Sequence, residues 1–432
     1  MIKLHVIEMD EKRSIIFFPQ SFRFFVTNKE QAQQISTIAN QLGDSGMAKL
    51  PFESDNNYLE IINLLNEVKE NDQIEFKKSV LPRLVINISN DCNLRCKYCY
   101  AAGGSYNGTR EIMSIETLHR TLDMFYKTFA KIENIQLFGG EPTMNIPAIK
   151  YTCEYVKRNS YETSVGFVTN GTIMSEELFE LIKSYNIQVT VSIDIDSIHD
   201  LVRPYTSGKG SLTAIQANLE KLKLLNQPKE FEVTYTRLHV DMGYSIYQVV
   251  RELSSQYGIY NIHLAPVCTS HEEYRLANMD DFVSSVDDFF LNVDKGTAPY
   301  ALMQNILFTL KTKLKNQYFC FAGFGTIAVS VTGKVYPCFY FYEKKEFEYC
   351  SVFDEEGAFS RAIGCMQDKY MAYNRSENPK CKNCFAMTVC RGCLGSNYSQ
   401  SGNEYDPPDS ICEMTRGMLE HILTNLAKCS IQ

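Results

Sequence analysis

The sequence predicts an α/β protein built around an open or partial barrel of six parallel strands. From residue 83 onwards, short apolar runs alternate with amphipathic stretches of helical spacing, a pattern typical of parallel strands joined by crossover helices. The chain has 432 residues, enough for two or three domains. Hydrophobic residues make up 44% and charged residues 22%, which excludes a wholly disordered chain.

The first 78 residues are predicted to form a separate module ahead of the barrel. Their sequence predicts three short strands, at 3–8, 14–18 and 22–27. Two helices are predicted after them, at 30–42 and 58–70. A unit of this size is too small to be the main core, so we place a domain boundary near residue 78.

The second segment, 79–310, contains the alternating apolar runs and amphipathic stretches. Strands are predicted at 84–88, 135–138, 165–168, 189–193, 231–236 and 262–267. Helices are predicted at 115–129, 149–158, 175–185, 212–225 and 247–257. In open parallel sheets functional residues gather at the carboxyl ends of the strands, so the residues that follow each apolar run are the candidates to inspect.

The third segment, 311–432, contains ten of the chain's 15 cysteines. Residues 280–315 and 414–426 are predicted to be helical, and the cysteine-rich stretch between them has few periodic runs. Hydrophobic burial alone would hold such a loop-rich region poorly. We therefore expect bound metal to supply the missing stability.

Net charge and hydropathy limit the partners and the cellular compartment that we expect for the chain. A net charge of -8 gives no electrostatic reason to expect nucleic acid or an anionic membrane as a partner. No signal peptide is visible, and no apolar run approaches the roughly 18 residues of a membrane span, so we expect a cytoplasmic protein. Disulfides do not persist in that compartment, so metal binding or catalysis is the expected role of the cysteines.

Cys92, Cys96 and Cys99 form a C-x3-C-x2-C run directly after the first barrel strand. A closed zinc site takes four ligands, whereas an iron-sulfur cubane held by three thiolates leaves one iron open to a further ligand. The spacing alone leaves open a zinc site completed from elsewhere, or buried free cysteines.

With Tyr98 before its last cysteine, this run resembles the cluster motif of the radical S-adenosylmethionine (SAM) superfamily. The resemblance implies a partial (β/α)6 TIM-like barrel and a 4Fe-4S cluster on Cys92, Cys96 and Cys99, with SAM bound to the open iron. It also implies cleavage of SAM to a 5'-deoxyadenosyl radical, which abstracts hydrogen from a substrate. A flavodoxin- or ferredoxin-type reductant would be the electron donor.

The second barrel strand ends in Gly139, Gly140 and Glu141, followed by proline. This segment resembles the GGEP motif of the same superfamily. Glycines let the backbone come close to a ligand, and the carboxylate of Glu141 would accept hydrogen bonds from the ammonium group of SAM. Taken alone, the four residues are more often a plain turn.

Polar residues also follow the third and fourth strands, and in similar enzymes the corresponding residues hold the ribose and amino-acid parts of SAM. These candidates are Asn170, Ser192 and Asp194, of which the last two share one strand face by the two-residue period. Arg237, which we place on the fifth strand, could meet the carboxylate of SAM. The alternative is that all four are satisfied polar groups at strand ends.

The C-terminal cysteines resemble the SPASM extension of radical enzymes that modify peptides. The resemblance implies two auxiliary 4Fe-4S clusters, one held by Cys381, Cys384, Cys390 and Cys412 and the other by Cys320, Cys338 and Cys393, hence three clusters in all. The second set leaves an open iron or takes Cys350 or Cys365. A small departure is that only two residues separate Cys390 from Cys393, and a pair of zinc ribbons is the alternative.

The N-terminal module has the element order of the winged-helix-like peptide-recognition modules fused to many peptide maturases. In those modules a leader peptide adds as a strand beside the third strand, here predicted at 22–27. A cap that merely supports the barrel is the alternative.

These resemblances imply an enzyme that installs thioether crosslinks between a cysteine sulfur and an acceptor carbon of a ribosomal precursor peptide. Carbon-carbon crosslinking and epimerisation use similar scaffolds. An anaerobic sulfatase maturase shares the cysteine layout, but such enzymes carry an aspartate just after the cysteine that corresponds to Cys338, where this chain has Phe339, Tyr340 and Phe341. A zinc-bearing peptide-binding adaptor is the non-enzymatic alternative.

Overall fold

The computed structural model describes residues 4–41, 76–293 and 296–431. The predicted helix at 58–70 lies outside the described residues. The strands are His5–Glu8 (β1), Arg13–Phe18 (β2), Arg23–Asn28 (β3), Val80–Ser89 (β4), Lys131–Gly139 (β5), Ser164–Thr169 (β6), Gln188–Ser192 (β7), Glu230–Tyr235 (β8), Ile262–Pro266 (β9), Thr326–Val329 (β10), Lys334–Tyr336 (β11) and Cys350–Ser351 (β12).

The helices with described bounds are Lys29–Gln41 (α1), Ile115–Thr128 (α2), Ile146–Arg158 (α3), Glu176–Tyr185 (α4), Asp196–Val202 (α5), Leu212–Lys223 (α6), Arg237–Asp241 (α7), Ile246–Tyr257 (α8), Asp280–Leu291 (α9), Ala301–Thr312 (α10), Glu356–Ala372 (α11), Leu394–Ser401 (α12) and Asp409–Ile431 (α13). Within the described ranges, no helix is both long enough and apolar enough to cross a membrane.

The main sheet has nine strands in the order β12-β11-β10-β4-β5-β6-β7-β8-β9. Six neighbouring strands, β4 to β9, are parallel and follow one another in chain order, as predicted. Because buried parallel strands need apolar residues on both faces, each of them was visible as a short apolar run. The parallel sheet with crossover helices is thus confirmed.

The sheet curls so that β4 faces β8 across its interior. Along β8, Phe231, Val233 and Tyr235 are buried, and the aromatic rings among them pack on the surrounding helices. Glu230 and Glu232 alternate with these residues and point the other way. Burial raises the pKa of both carboxyls, and the positive charge of Arg83 on β4 opposes that rise. Strands four positions apart in the sheet are therefore close in space.

The C-terminal segment departs from the expectation of a loop-rich region. Strand β10 pairs in parallel with β4, and β11 and β12 follow it as antiparallel strands, so this segment extends the main sheet. The 17-residue helix α11 lies between two cysteine groups. The strands escaped prediction because they have only four, three and two residues, too few to show a period.

The predicted helical stretch at 280–315 is divided into α9 and α10. Pro299 lies just ahead of α10 and has no N–H to continue a helix, and Gly296 adopts a left-handed φ of 74°. The five predicted barrel helices begin within three residues of the prediction, whereas the C-terminal helix predicted at 414–426 begins at Asp409. Side chains cap several of the barrel helices. Ser114, Ser175 and Ser245 each accept a backbone hydrogen bond at the first turn of α2, α4 and α8.

The N-terminal strands form a separate antiparallel sheet in the order β1-β2-β3. One face of β2 packs on α1 through Ile16 and Phe18, and the opposite face joins the main core through Ile15 and Phe17. On the same side, the His5 ring stacks on Phe385 with the ring centroids 3.5 Å apart. The small sheet is therefore packed on both faces, between α1 and the C-terminal segment.

Candidate active site

Three cysteines lie on the loop that follows β4. Burial, then the charge of Glu141, and then the neighbouring thiols of Cys96 and Cys99 raise the pKa of Cys92 to about 12. Burial also raises the pKa of Cys96, and Cys99 adds to it. The charges of these thiols therefore act on one another. Among the residues with described positions, no group of three or more His, Cys, Asp or Glu side chains has the arrangement to hold a metal ion.

Backbone hydrogen bonds hold this cysteine loop on two sides. On one side the donors are at the end of β5, and on the other the acceptors belong to the segment 202–206 after α5. The bonds run from Gly140 N–H to Ser89 O (2.7 Å), from Glu141 N–H to Asp91 O (2.8 Å), from Arg95 N–H to Pro204 O (2.8 Å) and from Lys97 N–H to Val202 O (2.9 Å). The position of the thiols is therefore set by the ends of two strands and a short helix.

Gly139 and Gly140 are required by the closeness of the cysteine loop. A Cβ atom on Gly140 would lie 2.3 Å from the carbonyl oxygen of Asp91, and one on Gly139 would lie 2.3 Å from that of Ser89. Gly139 also has a φ of 144°. The sequence predicted that these glycines make room for a ligand, and in the structure the close neighbour is the backbone that carries Cys92.

Glu141 is completely buried, and its carboxylate joins the ends of β5 and β6. Its Oε1 accepts hydrogen bonds from Thr143 N–H (3.0 Å), Thr143 Oγ1 (2.6 Å) and Thr169 Oγ1 (2.7 Å). Its Oε2 accepts one from Asn170 N–H at 2.7 Å. The predicted acceptor for an ammonium group is thus surrounded by the protein's own donors.

Asn170, predicted from its position after β6, lies against the cysteine loop. Its Nδ2 is 3.7 Å from the Cys92 sulfur and donates to Asn93 Oδ1 at 2.8 Å. Asn93 in turn donates to Thr172 Oγ1 at 2.8 Å. Asn93 was missed by the sequence analysis, although its place inside the C-x3-C spacing could have drawn attention to it.

Ser192 and Asp194 have different surroundings. Ser192 ends β7 opposite Glu232 of β8 and forms a side-chain hydrogen bond with that carboxylate. Asp194 is completely buried beyond the strand end, where its Oδ1 accepts from Ile195 N–H at 2.9 Å and lies 2.9 Å from His239 Nε2. Asp194 Oδ2 is buried and has no hydrogen-bond partner. Buried carboxylate oxygens are usually paired, so this oxygen is a candidate acceptor for a bound group.

The placement of Arg237 on the fifth barrel strand is wrong. That strand, β8, ends at Tyr235, and Arg237 opens the short helix α7, where its side chain is 54% exposed and its Nε lies 3.4 Å from Asp241 Oδ2. Apolar residues on both sides of the strand end hid the short helix. The structure does not bring this side chain to the cysteine loop.

Arg203 is the buried cation beside the cysteines. Its guanidinium lies over the Tyr98 ring, 5.5 Å from the centroid, and its Nε is buried without a hydrogen-bond partner. Burial acts to lower the pKa of Arg203, but Tyr98, Cys96 and Asp194 outweigh it and hold the pKa raised, so the charge persists. Arg203 follows the seven-residue helix α5, which is too short to be detected by periodicity.

Four C-terminal cysteines, Cys381, Cys384, Cys390 and Cys412, line one pocket. After burial, the charges of Cys390 and Cys384 help to raise the pKa of Cys412 to about 11. Arg375 beside them is completely buried and donates to the carbonyl oxygens of Cys390 (2.7 Å), Met387 (2.8 Å) and Asn316 (2.8 Å). This one guanidinium thus shapes the loop that carries the thiols.

A separate triad is formed by Cys320, Cys338 and Cys393. Burial raises the pKa of Cys393, and the thiols of Cys320 and Cys338 raise it further. Of the two suggested fourth ligands, Cys350 is buried in β12, where burial and then Asp354 and Glu348 raise its pKa to about 12. Cys365 is exposed on α11.

Tyrosine rings separate this triad from the cysteine loop after β4. The ring of Tyr100 stacks on that of Tyr340, with the centroids 4.9 Å apart, and Tyr106 lies 6.2 Å from Tyr100. Burial raises the pKa of Tyr106, and the charges of Cys99 and Cys338 both add to the rise. Tyr106 therefore lies near a cysteine of each triad. The sequence analysis did not find Tyr100 or Tyr106, because aromatic residues are mostly core residues.

The donors present fit an iron-sulfur cluster with SAM beside it. Three cysteines lie on the loop at the carboxyl end of β4, and thiolates are the ligands that such clusters require. Next to them, Asp194 Oδ2, Arg203 Nε and Tyr98 Oη are buried without partners. A ligand with hydroxyl and carboxylate groups would satisfy the carboxylate and the guanidinium.

Residues 86–241 match the family model described as "Radical SAM superfamily". This segment is a radical SAM domain. Domains of this family bind SAM and a 4Fe-4S cluster. The match begins within β4 and ends with α7, so it contains the cysteine loop, Glu141, Asn170, Asp194 and Arg203.

One sequence relative matches about a third of the chain, and others match most of it. The uncharacterized protein MJ0907 of Methanocaldococcus jannaschii is 33% identical over 150 residues, which are 34% of this chain and 51% of the relative. The chain therefore matches about half the length of that relative. The radical SAM cyclopropyl synthase TigE of Paramaledivibacter caminithermalis is 24% identical over 83% of this chain and 76% of its own.

Two further relatives extend beyond the radical SAM domain. A cysteine-type anaerobic sulfatase-maturating enzyme of Clostridium novyi is 26% identical over 80% of this chain and 96% of its own. The antilisterial bacteriocin subtilosin biosynthesis protein AlbA of Bacillus subtilis is 25% identical over 71% of this chain and 65% of its own.

Solved structures share the fold. Native anSMEcpe with bound AdoMet superposes with a TM-score of 0.68 at 17% identity, covering 81% of this chain and 100% of its own. SuiB of Streptococcus suis bound to precursor peptide SuiA covers 96% of this chain and 100% of its own, with a TM-score of 0.55 at 14% identity. At these identities the likeness concerns the fold.

Proposed function

We propose that this radical SAM enzyme modifies a ribosomally made precursor peptide, and that it joins a cysteine sulfur to a carbon of an acceptor residue. The observation that carries the proposal is the stack of Tyr100 on Tyr340, with the ring centroids 4.9 Å apart, because Tyr100 follows Cys99 of the first triad and Tyr340 lies two residues after Cys338 of the second. A site between two thiol triads has a hydrogen-abstracting centre on one side and a thiol-binding, electron-accepting centre on the other.

The cysteines divide into three proposed cluster sites. Cys92, Cys96 and Cys99 would hold the cluster to which SAM binds, and when bound the pair supplies a 5'-deoxyadenosyl radical. The four cysteines that line one cavity, Cys381, Cys384, Cys390 and Cys412, would hold a complete auxiliary cluster. The triad of Cys320, Cys338 and Cys393 would hold the other, with an open position for the substrate thiol.

The SAM-binding residues are proposed from the buried atoms that lack partners. Asp194 Oδ2 would accept from the ribose hydroxyls, and Arg203 takes the role that the sequence gave to Arg237, as the cation for the SAM carboxylate. Asn170 would hold the cysteine loop through Cys92 and Asn93. Gly139, Gly140 and Glu141 would act on SAM through the position of that loop.

The peptide would enter beside the N-terminal sheet. In the sheet order β1-β2-β3, strand β3 is at the edge, and α1 packs next to it. An extended leader could add there as a further strand, which is recognition by β-augmentation. The SuiB complex supports a peptide partner, since SuiB has the same fold over nearly the whole chain and binds the precursor peptide SuiA. The reductant would be a flavodoxin- or ferredoxin-type protein.

Maturation of a sulfatase is the second candidate, favoured by the likeness to the Clostridium novyi enzyme over most of both chains. Against it stands the absence of an aspartate after Cys338, where Phe339, Tyr340 and Phe341 follow. The two reactions also leave different products. Thioether formation removes two hydrogens and leaves no free thiol, whereas sulfatase maturation leaves an aldehyde.

A displayed peptide library tests the proposal without a known precursor. The probe is an mRNA-displayed library of random peptides with one fixed cysteine, incubated anaerobically with reconstituted enzyme, SAM and dithionite. We expect members that lose two hydrogens, resist alkylation of the cysteine and do not react with hydrazide. Hydrazide-reactive products would replace the thioether proposal by the sulfatase-type reaction. Zinc in place of iron in the purified protein would favour a binding adaptor.

A further inference from the structure

A pair of buried side chains, Asp194 and His239, lies beside the proposed SAM site. Both side chains are completely buried, and His239 Nε2 is 2.9 Å from Asp194 Oδ1. The other oxygen, Asp194 Oδ2, has no partner. A protein rarely leaves a buried carboxylate oxygen unpaired, since the lost hydration costs about 1–3 kcal/mol or more. The unpaired Oδ2 therefore indicates a bound ligand. The contact of Oδ1 with His239 holds the carboxylate in place.

The contacts of His239 fix which nitrogen carries the proton. The backbone N–H of Thr236 donates to His239 Nδ1 at 3.1 Å, and a backbone N–H can only donate. Nδ1 is therefore an acceptor, and the proton of the neutral ring is on Nε2, where it donates to Asp194 Oδ1. The Thr236 contact is one half of a capping box at the start of α7, in which a histidine stands where glutamate or glutamine is usual.

We propose that His239 is a positioning residue for SAM, whose Nε2–H holds Asp194 so that Oδ2 faces the ribose hydroxyls. The inference rests on the proposed role of Asp194 in SAM binding. The charges of Asp194 and of Cys96 both act on Tyr98 and on Arg203, so the carboxylate lies near the side chains that flank the cysteine loop. His239 reaches that region only through Asp194.

A second buried histidine, His199, shows by contrast what is special about His239. The backbone N–H of Asp194 donates to His199 Nδ1 at 3.1 Å, and His199 Nε2 lies 3.0 Å from Ser211 Oγ. His199 thus supports the backbone at Asp194 and makes no hydrogen bond to the carboxylate among the contacts of the described residues. Only His239 orients the carboxylate through a side-chain donor.

The test compares His239→Gln with His239→Met. At this third helical position, a glutamine can accept the Thr236 N–H through Oε1 and donate to Asp194 through Nε2, whereas methionine has a similar volume and neither function. The dissociation constant of SAM is measured by anaerobic equilibrium dialysis of the reconstituted proteins. Removing a group that orients a ligand residue typically weakens binding about 10–100-fold. We therefore expect His239→Met to bind SAM more weakly by this factor, and His239→Gln to regain most of the lost affinity.

Two controls separate positioning from a general structural effect. Iron content and the melting temperature without SAM show whether the methionine variant is folded. If it is not, Asp194→Ala and the double variant Asp194→Ala/His239→Gln provide the test: the histidine change should then have no further effect on SAM binding. Equal SAM binding by wild type and His239→Met, or binding by His239→Gln as weak as by His239→Met, would overturn the inference. If wild type itself binds no SAM, the proposed function fails instead.

Discussion

The cysteine loop after β4 and the four-cysteine site near the carboxyl terminus are held in opposite ways. The first is fixed on two sides by backbone hydrogen bonds to the end of β5 and to residues 202–204. The second is shaped by one buried side chain, Arg375, whose guanidinium donates to three carbonyl oxygens. We therefore expect the cysteine loop after β4 to take its shape when the barrel folds. We expect the four-cysteine site to depend on Arg375 and on the group that it binds.

The largest effect is expected at Arg375. In Arg375→Leu, three buried carbonyl oxygens lose their donor, so the variant should lose about 3–5 kcal/mol of stability in the C-terminal segment. It should also lose the iron of the four-cysteine site. Arg361→Leu, at an exposed position of α11, is the control and should change stability by about 0.5 kcal/mol or less. Denaturant midpoints measure both, and a wild-type midpoint for Arg375→Leu would contradict the comparison.

The second-largest effect is expected at Gly140, which contacts the cysteine loop after β4. In Gly140→Ala the new Cβ would meet the Asp91 carbonyl oxygen at 2.3 Å, so the cysteine loop must shift, at a cost of about 1–3 kcal/mol. We expect loss of the SAM-binding cluster while the two auxiliary sites keep their iron. Gly364→Ala in α11 is the control, because a Cβ there has no heavy atom within 4 Å. Retention of all iron by Gly140→Ala would show that the loop is less constrained than these contacts indicate.

A pair of arginine variants sharpens the account of the SAM site. Arg203→Met removes the buried cation beside Cys96 and should raise the dissociation constant of SAM about 10–100-fold. Arg237→Met removes an exposed side chain paired with Asp241 and should leave it within about twofold. The two constants are compared by equilibrium dialysis at equal iron content. The reverse ranking would restore the role that the sequence assigned to Arg237.

The smallest effect concerns pH. Burial, and then the charge of Arg203, lower the pKa of His199 from 6.5 to about 4. Between these two values the unfolded chain binds the proton that the folded chain excludes, so stability should rise with pH across this window, by up to about 1.4 kcal/mol per pH unit. The stability of His199→Gln should rise less steeply with pH, by the slope that corresponds to about one bound proton. Parallel stability curves for the two proteins from pH 4 to 6.5 would refute this assignment.

The sequence predicted those parts of the fold whose signals are local. The six barrel strands appeared as apolar runs, and the spacing of Cys92, Cys96 and Cys99 indicated one site. The contact of Gly140 with Asp91 could not be predicted, because it joins residues about 50 positions apart through the pairing of β4 with β5. The role of Glu141 depends in the same way on Thr169 and Asn170 of the neighbouring strand.

Short elements account for most of the remaining differences. Arg203 follows a helix of seven residues and Arg237 opens one of five, so neither helix shows enough turns to be recognised from periodicity. The extension of the sheet by β10, β11 and β12 was missed for the same reason. The grouping of the C-terminal cysteines into a four-thiol and a three-thiol set was implied by family resemblance, and mutual effects on their pKa values support it.

The most direct test of the account is anaerobic iron and sulfide analysis of the wild type and of the Cys92→Ala/Cys96→Ala/Cys99→Ala variant, followed by assay of 5'-deoxyadenosine. Three cubane clusters predict about twelve irons in the wild type and about eight in the variant, with nucleoside formation lost in the variant. Iron near zero with zinc in its place, or SAM cleavage by the variant, would contradict the central claim that this loop carries the SAM-cleaving cluster.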